Sequence, residues 1–189
     1  MQWEKLSETI QIAIDDTHRF GTDAFLLEHF AAVRGIDSVC DLCAGCGIIG
    51  LLMLRRERPP QSVTAVEIAP DAVELMRHTA EISSLTHFAP LRGDLREIRT
   101  LLPAHSFRLV TCNPPYFPAG SGYLCPEDSR RRARHEQEES CTIGEVCDAA
   151  AWLLQYGGRF CLCQRPERLT DVLLAMRQAG LEPKRLRTV

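Results

Sequence analysis

The chain has 189 residues, 45% of them hydrophobic and 25% charged, with a formal net charge of −3. These values exclude disordered, collagen-like and coiled-coil classes and favour one globular domain. The longest apolar run, Ile48 to Leu54, is too short to cross a bilayer, and Met1 to Lys5 carries no apolar export signal. A cytoplasmic protein with reduced thiols is expected, and its acidic balance leaves any nucleic-acid contact to local patches.

Taken in chain order, Glu8 to Ile14 alternates apolar and polar residues, with Ile10, Ile12 and Ile14 on one face, and predicts an extended segment. Residues 1–21 are read as an N-terminal extended segment and 22–189 as the main domain. Thr22 to Val33 repeats apolar residues at helical spacing, with Gly35 as a stop. Ser38 to Leu42 predicts a buried strand, and a Gly-rich turn opens a helix over Ile48 to Arg56. Strand Ser62 to Ile68 leads through Pro70 into helix Asp71 to Ile82.

A weaker strand at Phe88 to Leu91 precedes a helix over Asp94 to Leu102. Strand Phe107 to Cys112 ends at Asn113-Pro114-Pro115, and a loop is predicted over Tyr116 to Ser129. Next come a helix over Thr142 to Tyr156, a Gly157-Gly158 turn, strand Arg159 to Cys163 and a helix over Glu167 to Gln178. Arg185 to Val189 begins a sixth strand, with no partner strand after it, so the domain is expected to be incomplete at its C-terminus. The alternation predicts an α/β fold: a doubly wound, mostly parallel sheet with ligands at the carboxyl ends of its strands.

Nine cysteines are too many to ignore and odd in number. The odd count, the chain length and the missing export signal argue against a disulfide framework. Cys40, Cys43 and Cys46 are spaced C-x2-C-x2-C, but an iron–sulfur run needs a fourth Cys where Gly50 stands, then Pro where Leu51 stands. No His lies close enough to complete a zinc set, so no metal is expected.

Three constellations carry chemistry. Asp41-Leu42-Cys43-Ala44-Gly45-Cys46-Gly47 ends a strand and opens a helix, so the backbone can approach a ligand closely. Gly45, Gly47 and Gly50 also satisfy G-x-G-x-x-G, which alone suits a dinucleotide enzyme or a ligand-free turn. Glu67 at the next strand end suits ribose hydroxyls. Asp94 at the third suits an adenine amine, although a helix cap is an equal reading. Together the three strand ends fit an adenosine-bearing cofactor.

Asn113-Pro114-Pro115-Tyr116 follows the fourth strand. Two prolines stiffen the turn, so the Asn113 side-chain oxygen and the Pro114 carbonyl can face a planar –NH2 group. Tyr116 offers a stacking face. Pro59-Pro60 shows that a proline pair alone means little. The flanking Asn and Tyr give the pattern its weight.

These residues resemble the class I S-adenosylmethionine-dependent methyltransferases of the Asn-Pro-Pro-Tyr group, and more narrowly the bacterial tRNA1(Val) adenine-N6-methyltransferases. The resemblance rests on Phe20-Gly21-Thr22-Asp23-Ala24, the Asp41 to Gly47 turn, Glu67, Gly93-Asp94 and Cys112 to Phe117. It extends through Ala133-Arg134-His135-Glu136, Gly157 to Phe160 and Arg165 to Leu169. It implies a Rossmann-like fold that binds S-adenosylmethionine and acts on an adenine in a tRNA anticodon loop.

By the same resemblance, Asp41, Gly45 and Gly47 shape the cofactor pocket, and Glu67 and Asp94 hold ribose and adenine. Thr22 and Asp23 close the methionine end. Asn113 and Pro114 hold the target amine, and Tyr116 and Phe117 meet the base. Arg131 and Arg132, in the densest basic run, are candidates for RNA phosphate. Two departures stand out: Cys43 occupies a position where the family has Gly, and the family continues into a final strand that this chain lacks. A protein-glutamine methyltransferase, a nicotinamide oxidoreductase and a non-catalytic binding fragment remain as alternatives.

Overall fold

A computed structural model of the chain describes residues 1–114 and 141–189. Strands β1 (Gln2–Lys5) and β2 (Gln11–Ile14) form an antiparallel hairpin. Ser7 Oγ closes its turn by accepting from the Thr9 and Ile10 backbone N–H groups at 3.2 and 3.1 Å. Ile10, Ile12 and Ile14 are buried, as their alternation implies. By contrast, β1 is exposed along its whole length and carries no apolar period by which to find it.

The main sheet is five-stranded and parallel, in the order β5-β4-β3-β6-β7. Its strands are β3 (Ser38–Leu42), β4 (Ser62–Glu67), β5 (Phe88–Arg92), β6 (Phe107–Cys112) and β7 (Leu154–Leu162). Helices α1 (Thr22–Ala31), α2 (Ile48–Leu54) and α3 (Pro70–Ile82) pack on one face. The short α4 (Ile98–Leu101) and α5 (Ile143–Leu153) cover the other, and α6 (Leu169–Gln178) lies on α5. Both faces of β3 are therefore buried, Val39 toward the first set and Cys40 and Leu42 toward the second. The chain winds outward from β3 through β4 and β5, then returns to place β6 on the opposite side. That reversal creates a crevice at the carboxyl ends of β3 and β6.

Several predicted boundaries shift. Helix α1 stops at Ala31 because Ala32 takes a left-handed conformation (φ 47°), three residues before Gly35. The expected helix from Asp94 is a single 3-10 turn, Leu95–Glu97, followed by α4. The helix expected to reach Tyr156 ends at Leu153, where Leu154 joins the sheet opposite Phe107. Gly157-Gly158 is consequently a bulge inside β7 and not a turn before it. The register jumps from Leu154 to Arg159, and Gly157 has φ +76°, which suits glycine.

The expected strand over Arg185 to Val189 does not form. Pro183 cannot donate to a ladder, and Arg185 instead donates to the Phe30 carbonyl at 3.1 Å and lies 4.5 Å over the Phe30 ring. The N-terminal residues are more than an extended arm. The Ala13 N–H donates to Thr79 Oγ1 at 2.9 Å, and the three isoleucines enter the same core as α1, α2 and α3.

Candidate functional site

The first strand end is built around a buried acid. Parallel register sets Asp41 opposite Thr111, and the Thr111 hydroxyl donates to Asp41 Oδ1 at 2.6 Å. Asp41 is fully buried, and its Oδ2 has no hydrogen-bond partner among the described residues. Burial drives its pKa up to about 7. The nearby Glu67 charge adds to that rise, and the Thr111 bond opposes it. A buried carboxylate oxygen left unpaired is costly and suits a cationic or hydrogen-donating ligand.

Beyond Asp41 the chain turns sharply. Cys43 has φ +54°, so the position where the resemblance expects glycine keeps a left-handed backbone and carries a side chain. Gly45 follows with φ +55°, and Gly47 caps α2 at φ +81°. A Cβ on Gly47 would come within 2.8 Å of the Phe88 ring and 2.9 Å of the Met76 sulfur, so glycine is required there.

Glu67 ends β4 and is held by three backbone donors. Gly45 N–H donates to Oε2 at 2.8 Å, and Ile68 and Ala69 N–H donate to Oε1 at 2.9 and 3.0 Å. Oε1 is filled by its two donors, whereas Oε2 retains a lone pair for a further donor, so the carboxylate is oriented without being saturated. Asp94 caps the 3-10 turn by accepting from Arg96 N–H at 2.9 Å. The Arg96 guanidinium beside it holds its carboxyl below the usual range. Asp94 thus caps a helix, as one reading of the sequence expects, and it also lines a cleft at these strand ends.

That cleft, open to solvent, is lined by Cys43, Val66, Glu67, Ile68, Gly93, Asp94, Leu95 and Cys141. It brings together the two acids predicted at the second and third strand ends. Asp41, Gly45 and Gly47 are not among its lining residues. Thr22 and Asp23 open α1 and also lie off its lining. Asn113 and Pro114 follow β6 directly, one and two residues past Cys112, which pairs with Leu42 at the end of β3. Asn113 is half-buried and Pro114 buried. Tyr116, Phe117, Arg131 and Arg132, with the predicted loop over Tyr116 to Ser129, lie outside the described residues.

Sequence reasoning missed three contributors. Thr111 was hidden because its role depends on strand register. The apolar walls Val66, Ile68 and Leu95 were signalled only by flanking the two acids. Cys141 is distant in sequence, yet its Sγ lies 3.9 Å from that of Cys43. Among the described residues, no cluster of His, Cys, Asp and Glu has the arrangement of a metal site. No helix among them is long and apolar enough to cross a membrane.

Comparison with known proteins places this architecture. A curated protein of Tolumonas auensis named tRNA1(Val) (adenine(37)-N6)-methyltransferase is 31% identical over 166 residues, covering 86% of this chain and 65% of that protein. A protein of the same name from Erwinia tasmaniensis is 31% identical over 145 residues, covering 76% of this chain and 57% of that one. The chain thus spans less than two thirds of the length of these relatives. In fold it is similar to TrmN from Thermus thermophilus, with TM-score 0.59 and 23% identity, over 85% of this chain and 40% of that one. It is also similar to precorrin-6y C5,15-methyltransferase from Geobacter metallireducens, with TM-score 0.61 and 14% identity, over 89% and 75% of the two chains. Both likenesses support the doubly wound Rossmann-like fold. The model of the methyltransferase small domain matches residues 16–123, more than half of the sequence. With its acids at successive strand ends and that match across them, the chain belongs to the methyltransferase small-domain family.

Proposed function

We propose that the chain binds S-adenosylmethionine and directs methyl transfer to the exocyclic N6 amine of an adenine in a tRNA anticodon loop. The observation that carries this reading is a convergence at adjacent strand ends. Glu67 is held by three N–H donors beside Asp94, Asp41 keeps an unpaired oxygen, and Asn113-Pro114 emerges next to them. The names of the curated relatives support the tRNA acceptor. A tRNA substrate also assigns the protein to the cytoplasm.

The residues present fit this cofactor. Glu67 is oriented to accept from ribose hydroxyls, and Asp94 can accept from the adenine amine between the apolar Val66, Ile68 and Leu95. Asp41 answers the cationic methionine end. Gly45 and Gly47 let the backbone approach, and Thr22 and Asp23 close that end. Bound there, S-adenosylmethionine supplies an activated methyl on a sulfonium, which is the cofactor's own chemistry.

The protein's task is placement. An adenine amine is a poor nucleophile because its lone pair is shared with the ring. Asn113 Oδ1 and the Pro114 carbonyl would accept its two N–H groups, hold it in line and favour a more pyramidal nitrogen. Tyr116 and Phe117 would stack on the extruded base, which an anticodon loop presents already partly unstacked. Arg131 and Arg132 would meet phosphate.

The test is incubation of the chain with unmodified tRNA and labelled S-adenosylmethionine, followed by nucleoside mass spectrometry. Labelled N6-methyladenosine is expected. Label appearing in a polypeptide glutamine, with RNA unlabelled, would replace this reading by the protein-directed one.

A further inference from the structure

We propose that Cys43 and Cys141 form a reversible dithiol–disulfide site in the wall of the cleft. The effect on cofactor described below rests on the function proposed above. Cys43 Sγ and Cys141 Sγ are 3.9 Å apart, which is van der Waals contact between sulfurs, and both residues line the same cleft as Glu67 and Asp94. A third thiol, Cys112, lies against Cys43 at the end of β6 but is fully buried and does not line the cleft. An oxidant entering from solvent therefore meets Cys43 and Cys141 first.

The backbone around the pair is defined. Cys43 sits in a left-handed turn that fixes its Cα, and Cys141 directly precedes Thr142, whose side chain and that of Glu145 form a reciprocal cap at the start of α5. Closure needs the sulfurs to come about 2 Å nearer. The neighbouring Cys112 thiol and burial push the Cys43 thiol up, against a lowering by its contact with Cys141, and the neighbouring Cys43 thiol and burial push Cys141 up. The resting state is thus the dithiol.

The chemistry balances with hydrogen peroxide as oxidant. One thiol, on losing its proton, attacks the peroxide O–O bond to give a sulfenic acid and one water. The second thiol then displaces the hydroxyl, forming the S–S bond and a second water. Two thiols are oxidised by two electrons, and one peroxide is reduced. The link joins positions 98 residues apart and ties the start of α5 to the turn after β3, across the mouth of the cleft.

The experiment treats the whole chain with hydrogen peroxide, blocks free thiols, digests without reduction and maps cross-linked peptides by mass. A dominant Cys43–Cys141 pair is expected, reversed by dithiothreitol and absent in Cys141→Ser. The linked protein should melt at a higher temperature than the reduced one and bind S-adenosylmethionine at least tenfold more weakly, regaining affinity on reduction. A dominant Cys43–Cys112 pair, or singly oxidised sulfurs without a link, would overturn the proposal. A link that leaves cofactor affinity unchanged would overturn the claim that it narrows the cleft. Failure of the reduced chain to bind cofactor would count against the proposed function and leave the peptide map to judge the thiol pair.

Discussion

Asp41 shows how burying a single carboxyl couples stability to pH. Its folded pKa stands near 7 against an ordinary 3.8, because burial disfavours the charge. The folded state therefore keeps a proton that the unfolded chain releases between about pH 4 and 7. Stability from this group is full below that window, falls as pH rises through it, and is level above pH 7. Asp41→Asn should flatten that fall and raise stability at pH 8 by on the order of 1–2 kcal/mol, read from thermal unfolding at pH 5 and pH 8. The same variant should weaken S-adenosylmethionine, whose affinity for the native chain should rise through pH 7 as Asp41 ionises. No loss of affinity in Asp41→Asn would remove Asp41 from the site. Cys43 makes the converse case: Cys43→Gly should stay within about 1 kcal/mol of the parent, because relief of the left-handed strain offsets lost packing. Cys43→Val should lose about 2 kcal/mol or more, since a branched side chain fits φ +54° poorly. Denaturant titration of both variants checks the pair. The acids were legible in the sequence because each ends a strand. The unpaired oxygen of Asp41 was not, since it depends on Thr111 across the register.

At the scale of elements, the hairpin is the informative piece. Ile12 in β2 is wholly buried, and β2 is tied to α3 through Thr79. Ile12→Ala should destabilise the whole domain by about 2–4 kcal/mol in a single cooperative transition. A separate early transition that leaves the main sheet intact would show the hairpin to be a mere appendage. The sequence announces β2 by alternation and the buried strands β3 and β6 by short, mostly apolar runs. It is silent on β1, whose exposed residues have no period, and it misjudges the junction at Leu154. There helix and strand are both apolar, so only pairing with Phe107 decides where one ends. Arg185 is a similar case, because a cation–π contact to Phe30 cannot be read from local pattern.

For the whole molecule, a net charge of −3 sets limits on RNA binding. Few phosphate contacts are expected, so log affinity for tRNA should fall against log salt with a slope of only about −2 to −3. Replacing Arg131 and Arg132 by Ala should flatten that slope by up to about one per residue without altering cofactor affinity. Asn113→Ala should abolish methyl transfer while leaving S-adenosylmethionine affinity within a few-fold, because in the proposed function its contact is made to the acceptor amine. All of this depends on the cleft at the carboxyl ends of β3, β4 and β5 being an S-adenosylmethionine site. Calorimetric titration of the chain with S-adenosylmethionine and, separately, with NAD tests that most directly, using Glu67→Ala as the control. Saturable binding of S-adenosylmethionine, weakened by about 1–3 kcal/mol in Glu67→Ala, is predicted, with no binding of NAD. Binding of NAD without S-adenosylmethionine, or an unchanged affinity in Glu67→Ala, would contradict it.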